Sequence, residues 1–190
     1  MLEKLPHAVG EALSALKAGL DKAAAHADFA DVPSTITVTS DAFADGGAIP
    51  ARYTEDGERT SPPIAWTGVP AGAACVVVLV EDVDSPSINP LVHLIAWNLP
   101  PRDGALPEDA IAGATSEGGR LELGRNSFQS EGWLPPDPPT GHGVHRYLFQ
   151  VYAVDAVPDV SSSPGRGAVV AAMAGHVLAK GVLTGTYQRG

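Results

Sequence analysis

Three short stretches of the chain place polar side chains at the ends of strongly apolar segments. Glu81-Asp82-Val83-Asp84-Ser85-Pro86 follows Val77-Val78-Leu79-Val80. His93 stands at the start of Leu94-Ile95-Ala96-Trp97-Asn98. His145-Arg146-Tyr147 opens the run Tyr147-Leu148-Phe149-Gln150-Val151-Tyr152-Ala153-Val154. An aspartate at a strand terminus accepts a hydrogen bond from a nearby imidazole, which fixes the ring's tautomer and favours its charged form. Here Asp82 orients one histidine, His93 and His145 each supply an N–H donor, and the Tyr147 hydroxyl supplies a third. Such a set suits a phosphate or carboxylate oxygen. Arg146 reads as structural: pointing inward it needs a carboxylate, and Asp84 is the partner expected. His142 reads as solvent-facing. His7, His26 and His176, on helical stretches, need no function.

The same residues argue against catalysis. The chain has no Gly-x-Ser-x-Gly elbow, no His-Glu-x-x-His and no Walker-type loop. Ser127 carries no sign of activation. The single cysteine, Cys75, lies within an apolar run, so no intramolecular disulfide and no multi-thiolate zinc site can form, and it reads as a small buried hydrophobe. The expectation is a protein that is not an enzyme and holds neither metal nor cofactor. A net charge of −10 argues against nucleic acid and anionic membranes as partners through long-range attraction. It leaves room for a local anion site. No charged-then-apolar leader and no run of about 18 apolar residues is present, so a cytoplasmic protein without an integral membrane segment is expected.

Certain elements must position these residues. With 190 residues, the chain is long enough for one domain with a sizeable core. Gly132-Trp133-Leu134-Pro135-Pro136-Asp137-Pro138-Pro139-Thr140-Gly141-His142-Gly143-Val144 can be neither regular helix nor central strand, so it is an ordered loop that delivers His145 to the mouth of a strand. The run 75–81 is continuously apolar, as a strand covered on both faces is. Runs 92–98 and 147–154 read likewise, and Ile36-Thr37-Val38-Thr39-Ser40 alternates. Strands separated by turn signals predict an antiparallel sandwich. The alanine-rich stretch 167–180 predicts a helix stopped at Gly181, and 183–187 is a last strand or a tail. Residues 1–30 are read as an amphipathic helix with Leu2, Leu5, Val9, Leu13, Leu16 and Leu20 on one face. Two uses remain open for it: a lid or brace on the main domain, or a self-association helix that makes the chain a homodimer.

Taken together these landmarks resemble the phosphatidylethanolamine-binding protein family, in particular its bacterial Raf-kinase-inhibitor-like branch. The resemblance runs over residues 35–190 and leaves the extension 1–30 outside. It is carried by Asp56-Gly57, Ser61-Pro62-Pro63-Ile64-Ala65-Trp66, Val80-Glu81-Asp82-Val83-Asp84-Ser85-Pro86, Val92-His93-Leu94-Ile95, Gly124-Arg125-Asn126, Pro136-Asp137-Pro138-Pro139, Gly141-His142-Gly143-Val144-His145-Arg146-Tyr147 and Met173-Ala174-Gly175-His176-Val177-Leu178-Ala179. It implies a mainly β fold, an antiparallel sandwich with Greek-key connections and a few short helices. It also implies a pocket for phosphate, phosphorylethanolamine, acetate or similar anions. The family's Asp-Pro-Asp-Ala-Pro wall falls on Asp82-Val83-Asp84-Ser85-Pro86, its strand histidine on His93, and its His-Arg-Tyr motif on His145 and Tyr147. Its Gly-Tyr-x-Gly-Pro segment falls on Gly132-Trp133-Leu134-Pro135-Pro136, with the tyrosine hydroxyl lost. The ligand-binding residues implied are therefore Asp82, Asp84, His93, Pro136, His145 and Tyr147. The function implied is non-enzymatic binding of a small phosphate- or carboxylate-bearing ligand. The alternative is a protein inhibitor or scaffold that acts on a kinase or serine protease through exposed loops.

Overall fold

The structure, a computed structural model, describes residues 7–111, 115–116 and 119–189. In chain order the elements are α1 (His7–Leu13), α2 (Ala24–Ala27), β1 (Thr37–Thr39), β2 (Ile64–Thr67), β3 (Cys75–Asp82), β4 (Leu91–Leu99), β5 (Gly104–Leu106), β6 (Thr115–Ser116), β7 (Gly119–Arg120), β8 (Glu122–Leu123), β9 (His145–Val154), α3 (Arg166–Met173) and β10 (Val177–Tyr187). A five-stranded antiparallel sheet has the order β10-β9-β3-β4-β8, a three-stranded one β1-β2-β5, and β6 pairs with β7. Strand β3 sits at the centre of the large sheet between β4 and β9, so the three apolar runs of the sequence lie there as neighbours.

β3 is buried at all eight positions, and its two faces do different work. Val76, Val78 and Val80 face the small sheet and pack with Val38, Ile64, Trp66 and Leu106. Cys75, Val77 and Leu79 face the other way and pack with Phe29, Val169, Val170 and Met173. β-branched residues suit a strand enclosed on both sides, and each side chain so buried contributes about 1.5–3 kcal/mol relative to exposure. Burial pushes the Cys75 thiol up to about 11, away from the thiolate that reactivity requires.

The second face needs a cover, and α3 and the N-terminal segment provide it. The single helix expected over 1–30 is interrupted among the described residues. Helix α1 ends at Leu13, and a 3-10 turn at Leu20–Lys22 and the one-turn α2 follow. Leu16 stays 56 % exposed, while Ala18, Ala23, Ala24 and Ala25 are buried. Small side chains let the backbone approach the sheet closely, where a leucine stripe would hold it off. The Ala18 and Gly19 N–H groups donate to the Ser85 and Val83 carbonyls, both at 2.9 Å. Within the described residues the segment is thus a brace on the main domain.

The helix expected over 167–180 ends instead at Met173. Gly175, at φ 79°, turns the chain, and 177–187 forms the edge strand β10. Gly181 is therefore no helix stop. It lies mid-strand, where a Cβ would stand 2.3 Å from the Ile36 carbonyl oxygen. That crossing segment cannot easily retreat, because Ile36 N–H donates to the Lys180 carbonyl at 3.1 Å and Lys180 N–H to the Pro33 carbonyl at 2.9 Å. Gly181→Ala is expected to lose about 1–3 kcal/mol through overpacking, read as a lower urea midpoint. An unchanged midpoint would show that the segment moves aside freely.

Candidate functional site

The strand register assembles the site. Asp82 pairs with Tyr147 across β3 and β9, which makes His145 its diagonal neighbour on the same face. Between β3 and β4 the register runs Val80↔Leu94 and then Glu81↔Val92. His93 is thus the extra residue of a β-bulge, a device that re-aims a side chain. Leu134 holds it twice: Leu134 N–H donates to the His93 carbonyl at 2.8 Å, and His93 Nδ1 donates to the Leu134 carbonyl at 2.6 Å.

The hollow between these strand ends is lined by Asp82, His93 and His145, by Ser85, Pro86 and Leu91, by Phe128, and by Leu134, Pro135, Asp137, Pro138 and Pro139. Its cavity volume is ≈ 20 Å³, room for one or two water-sized spheres. A phosphoryl group enters only if the rim opens, and Phe128, 51 % exposed, is the rim side chain least confined.

Of the six residues carried over from the resemblance, Asp82, His93 and His145 line the hollow. Tyr147 lies directly behind it, its ring edge-on to His93 at 5.1 Å and stacked on His145 at 6.4 Å. Asp84 and Pro136 are not part of the wall. Asp84 is occupied by Arg146, with Nε at 2.7 Å and Nη2 at 2.9 Å, and by Lys17 at 3.1 Å. Burial pushes the Asp84 carboxyl up, but the hydrogen bonds from Arg146 and Lys17 outweigh it and hold it down at about 2. The Asp84–Arg146 pairing is the one expected from the sequence. Pro136 turns its carbonyl outward to the Glu55 N–H at 2.9 Å.

The donor count changes. His145 Nδ1 donates to Asp82 Oδ2 at 2.8 Å, as an orienting carboxylate requires. Its Nε2, however, meets His142 Nδ1 at 2.7 Å, so neither nitrogen of His145 is left for a ligand. His142 is not solvent-facing: it is 3 % exposed, and its Nε2 lies 2.9 Å from the Leu13 carbonyl and 3.1 Å from that of Leu16. Desolvation pushes the pKa of His93 down, against the pull of Asp82 and the Leu134 carbonyl. The ring is neutral near neutral pH, and because its proton is on Nδ1, Nε2 is an acceptor. That Nε2 and the Tyr147 hydroxyl are both buried without a partner among the described residues. Burial also raises the Tyr147 phenol well above its usual value, so it keeps its proton. The arrangement therefore offers one acceptor and one hydroxyl rather than three donors. Among the remaining histidines, His26 is in α2, while His176 sits in the turn after α3 and pairs with Asp155 at 2.8 Å.

The fold and the site define a class of protein: a two-sheet antiparallel sandwich with a histidine-lined hollow at the strand ends. Comparison with known proteins gives the family. The model of the phosphatidylethanolamine-binding protein family matches residues 39–188. A UPF0098 protein of Methanothermobacter thermautotrophicus is 40 % identical over 149 residues, 78 % of this chain and 96 % of its own length. The crystal structure of a phosphatidylethanolamine-binding protein homolog from Chlamydia trachomatis superposes with a TM-score of 0.73 at 33 % identity, covering 83 % of this chain and 99 % of that one. YbcL of E. coli superposes with a TM-score of 0.74 at 29 % identity, covering 83 % and 100 %. The chain belongs to the phosphatidylethanolamine-binding protein family. Among its described residues no helix is long and apolar enough to cross a membrane.

Proposed function

We propose that this chain binds a small phospho-ligand in the hollow, without catalysis, and that it selects an anion that carries a proton of its own. The observation behind this reading is the pair of unpartnered buried atoms, His93 Nε2 and the Tyr147 hydroxyl. A buried polar atom left unpaired costs about 1–3 kcal/mol, and a ligand that pairs both recovers it. Hydrogen phosphate, or a phosphate monoester such as O-phosphorylethanolamine, has the right complement: its P–O–H donates to His93 Nε2 and a P–O⁻ accepts from Tyr147. Sulfate has acceptors only and meets the lone pair of neutral His93 with its own.

The non-enzymatic part of the reading is supported by what His145 faces. In a charge-oriented triad the ring nitrogen opposite the carboxylate reaches a nucleophile. Here it reaches His142, and the hydroxyl of Ser85 is turned to Ser87 Oγ at 2.7 Å. The Raf-kinase-inhibitor-like branch, carried by the order of motifs, and a cytoplasmic location go with this reading.

The test is thermal unfolding with phosphate, O-phosphorylethanolamine or sulfate. At a concentration about a hundred times the dissociation constant, a specific ligand adds about 2.7 kcal/mol. At pH 7 hydrogen phosphate is expected to shift the transition and sulfate is not, while the ester does so below its second ionisation. The sign with pH follows. Affinity for the ester falls as pH rises through its second ionisation, near about 6, because that step removes its last P–O–H, whereas hydrogen phosphate keeps one and holds its affinity. Sulfate gains affinity only where His93 takes a proton, below the ordinary imidazole value of about 6.5. No shift with any of the three would abandon ligand binding and leave the scaffold reading. Equal shifts with sulfate and phosphate at pH 7 would abandon the selectivity.

A further inference from the structure

The N-terminal segment touches the site through hydrogen bonds whose protons can be counted. Three run in one line: Asp82 Oδ2 to His145 Nδ1 at 2.8 Å, His145 Nε2 to His142 Nδ1 at 2.7 Å, and His142 Nε2 to the Leu13 carbonyl at 2.9 Å, with Leu16 at 3.1 Å. A carbonyl oxygen at one end can only accept, and so can an ionised carboxylate at the other. Three bonds need three protons, whereas two neutral imidazoles bring two. With the segment in place, the line therefore holds one proton more than a carboxylate and two neutral rings do apart. That count is the same whether the extra proton sits on the rings or on Asp82. With the segment lifted, His142 Nε2 faces water, which donates as readily as it accepts, and the third proton is no longer required.

We propose that residues 7–19 are a strap latched over the anion hollow by uptake of one proton into the Asp82–His145–His142 line. Two features mark the strap as a separable body. At its outer end it lies close against the loop that carries His142: a Cβ on Gly10 would stand 1.9 Å from the Thr140 carbonyl oxygen. Its inner end is Gly19, whose φ of 107° belongs to glycine. Beyond Gly19 the chain is pinned independently, Ala24 N–H to Glu81 Oε2 at 2.9 Å and Ala25 N–H to Gln150 Oε1 at 2.8 Å. Movement is thus confined to the residues up to and including it.

The charged groups that face the latch are Asp84, Arg146 and Lys17, with Asp137 on the wall of the hollow. Asp84, held at about 2, is ionised throughout the range in question. It is bound by Arg146, whose guanidinium Asp84 holds above its ordinary value, and by Lys17 on the strap itself at 3.1 Å. His93, on the far side of His145, is pushed down by burial. Because closure takes up a proton, acid favours it. The closed population relative to the open one changes by up to tenfold per pH unit. Asp82 and His145 also line the hollow, so the latch regulates the ligand site. This consequence rests on the proposed function, but the latch does not.

The experiment is amide hydrogen exchange on the ligand-free full chain at pH 5.5 and 8.5, each amide corrected for its intrinsic rate. It is read at Ala18 and Gly19, with β3 and β9 amides as the control for the fold. In the wild type the strap amides are expected to lose at least tenfold in protection at the higher pH while β3 and β9 keep theirs. His142→Gln supplies an amide N–H for the Leu13 carbonyl without titrating, and is expected to hold the strap equally at both values. Gly10→Val is expected to release it at both. Wild-type protection that is flat with pH overturns the latch. So does His142→Gln with the wild-type pH dependence, or Gly10→Val with full protection. Thermal shifts with phosphate report on the ligand reading separately, so either can fail without the other.

Discussion

Replacing Glu81 by alanine is expected to cost the fold about 3–5 kcal/mol, the range for breaking a buried ion pair by removing one partner. No residue of the hollow reaches so far into the structure. The Glu81 side chain is fully buried. Its Oε1 accepts from Arg166 Nε at 2.6 Å, and its Oε2 from Gln150 Nε2 at 2.8 Å and the Ala24 N–H at 2.9 Å. Each partner ties in another element. Gln150 Oε1 accepts from Tyr152 Oη at 2.7 Å and the Ala25 N–H at 2.8 Å, and Arg166 reaches Asp28 at 3.0 Å. One carboxylate thus joins β3, β9, α3 and α2. Alanine leaves a half-buried guanidinium without its carboxylate and a backbone N–H without an acceptor. Urea unfolding measures the loss, with a midpoint lower by about 1–5 M for a slope of about 1–3 kcal/mol per molar. Glu81→Gln keeps an acceptor oxygen but turns an NH₂ somewhere in the cluster, and belongs between the two. A midpoint for Glu81→Ala close to wild type would mean that the four elements are held by packing alone.

Glu81 also marks what a sequence can and cannot disclose. It was visible as a polar residue at the end of an apolar strand, but its partners lie 57 to 85 positions away, and no local spacing announces them. β3 was legible throughout, because enclosure on both faces writes an unbroken apolar run. The Asp84–Arg146 pair and the orientation of a histidine by Asp82 were legible for a related reason: each answers a local electrostatic need that few residues could meet. β10 was not. Its alanines, valines and leucines continue the composition of α3, and the only break is Gly175, placed earlier than the Gly181 that looked like a stop. In the N-terminal segment the leucines drew attention from the alanines, which are the residues that pack. His142 was beyond reach, since its role depends on carbonyls at Leu13 and Leu16, over a hundred residues before it. The donor set failed for the same reason: which ring nitrogens are free is decided by partners that only folding supplies.

The second large effect concerns Asp82. Asp82→Asn is expected to lower stability by about 1–3 kcal/mol, because the two hydrogen bonds made by this side chain lose the strength that a charged acceptor gives them, and to uncouple the strap from pH. Two donors converge on this carboxylate: His145 on Oδ2 at 2.8 Å and the Asp84 N–H on Oδ1 at 2.9 Å. An amide of the same shape has one oxygen. If that oxygen faces the Asp84 N–H, the NH₂ confronts His145 Nδ1, and the ring must turn its lone pair there and move its proton to Nε2. The proton then points at His142 Nδ1, whose own proton moves to Nε2 and satisfies the Leu13 carbonyl. Every bond in the line is made with two neutral rings, and the extra proton has no place to go. The substitution should therefore leave the Ala18 and Gly19 amides protected alike at pH 5.5 and 8.5, even as the whole molecule unfolds at lower urea. Stability and pH coupling part company in this variant, because one follows from the charge on residue 82 and the other from the number of protons. Strap protection in Asp82→Asn that still rises tenfold in acid would place the sensing group outside the line.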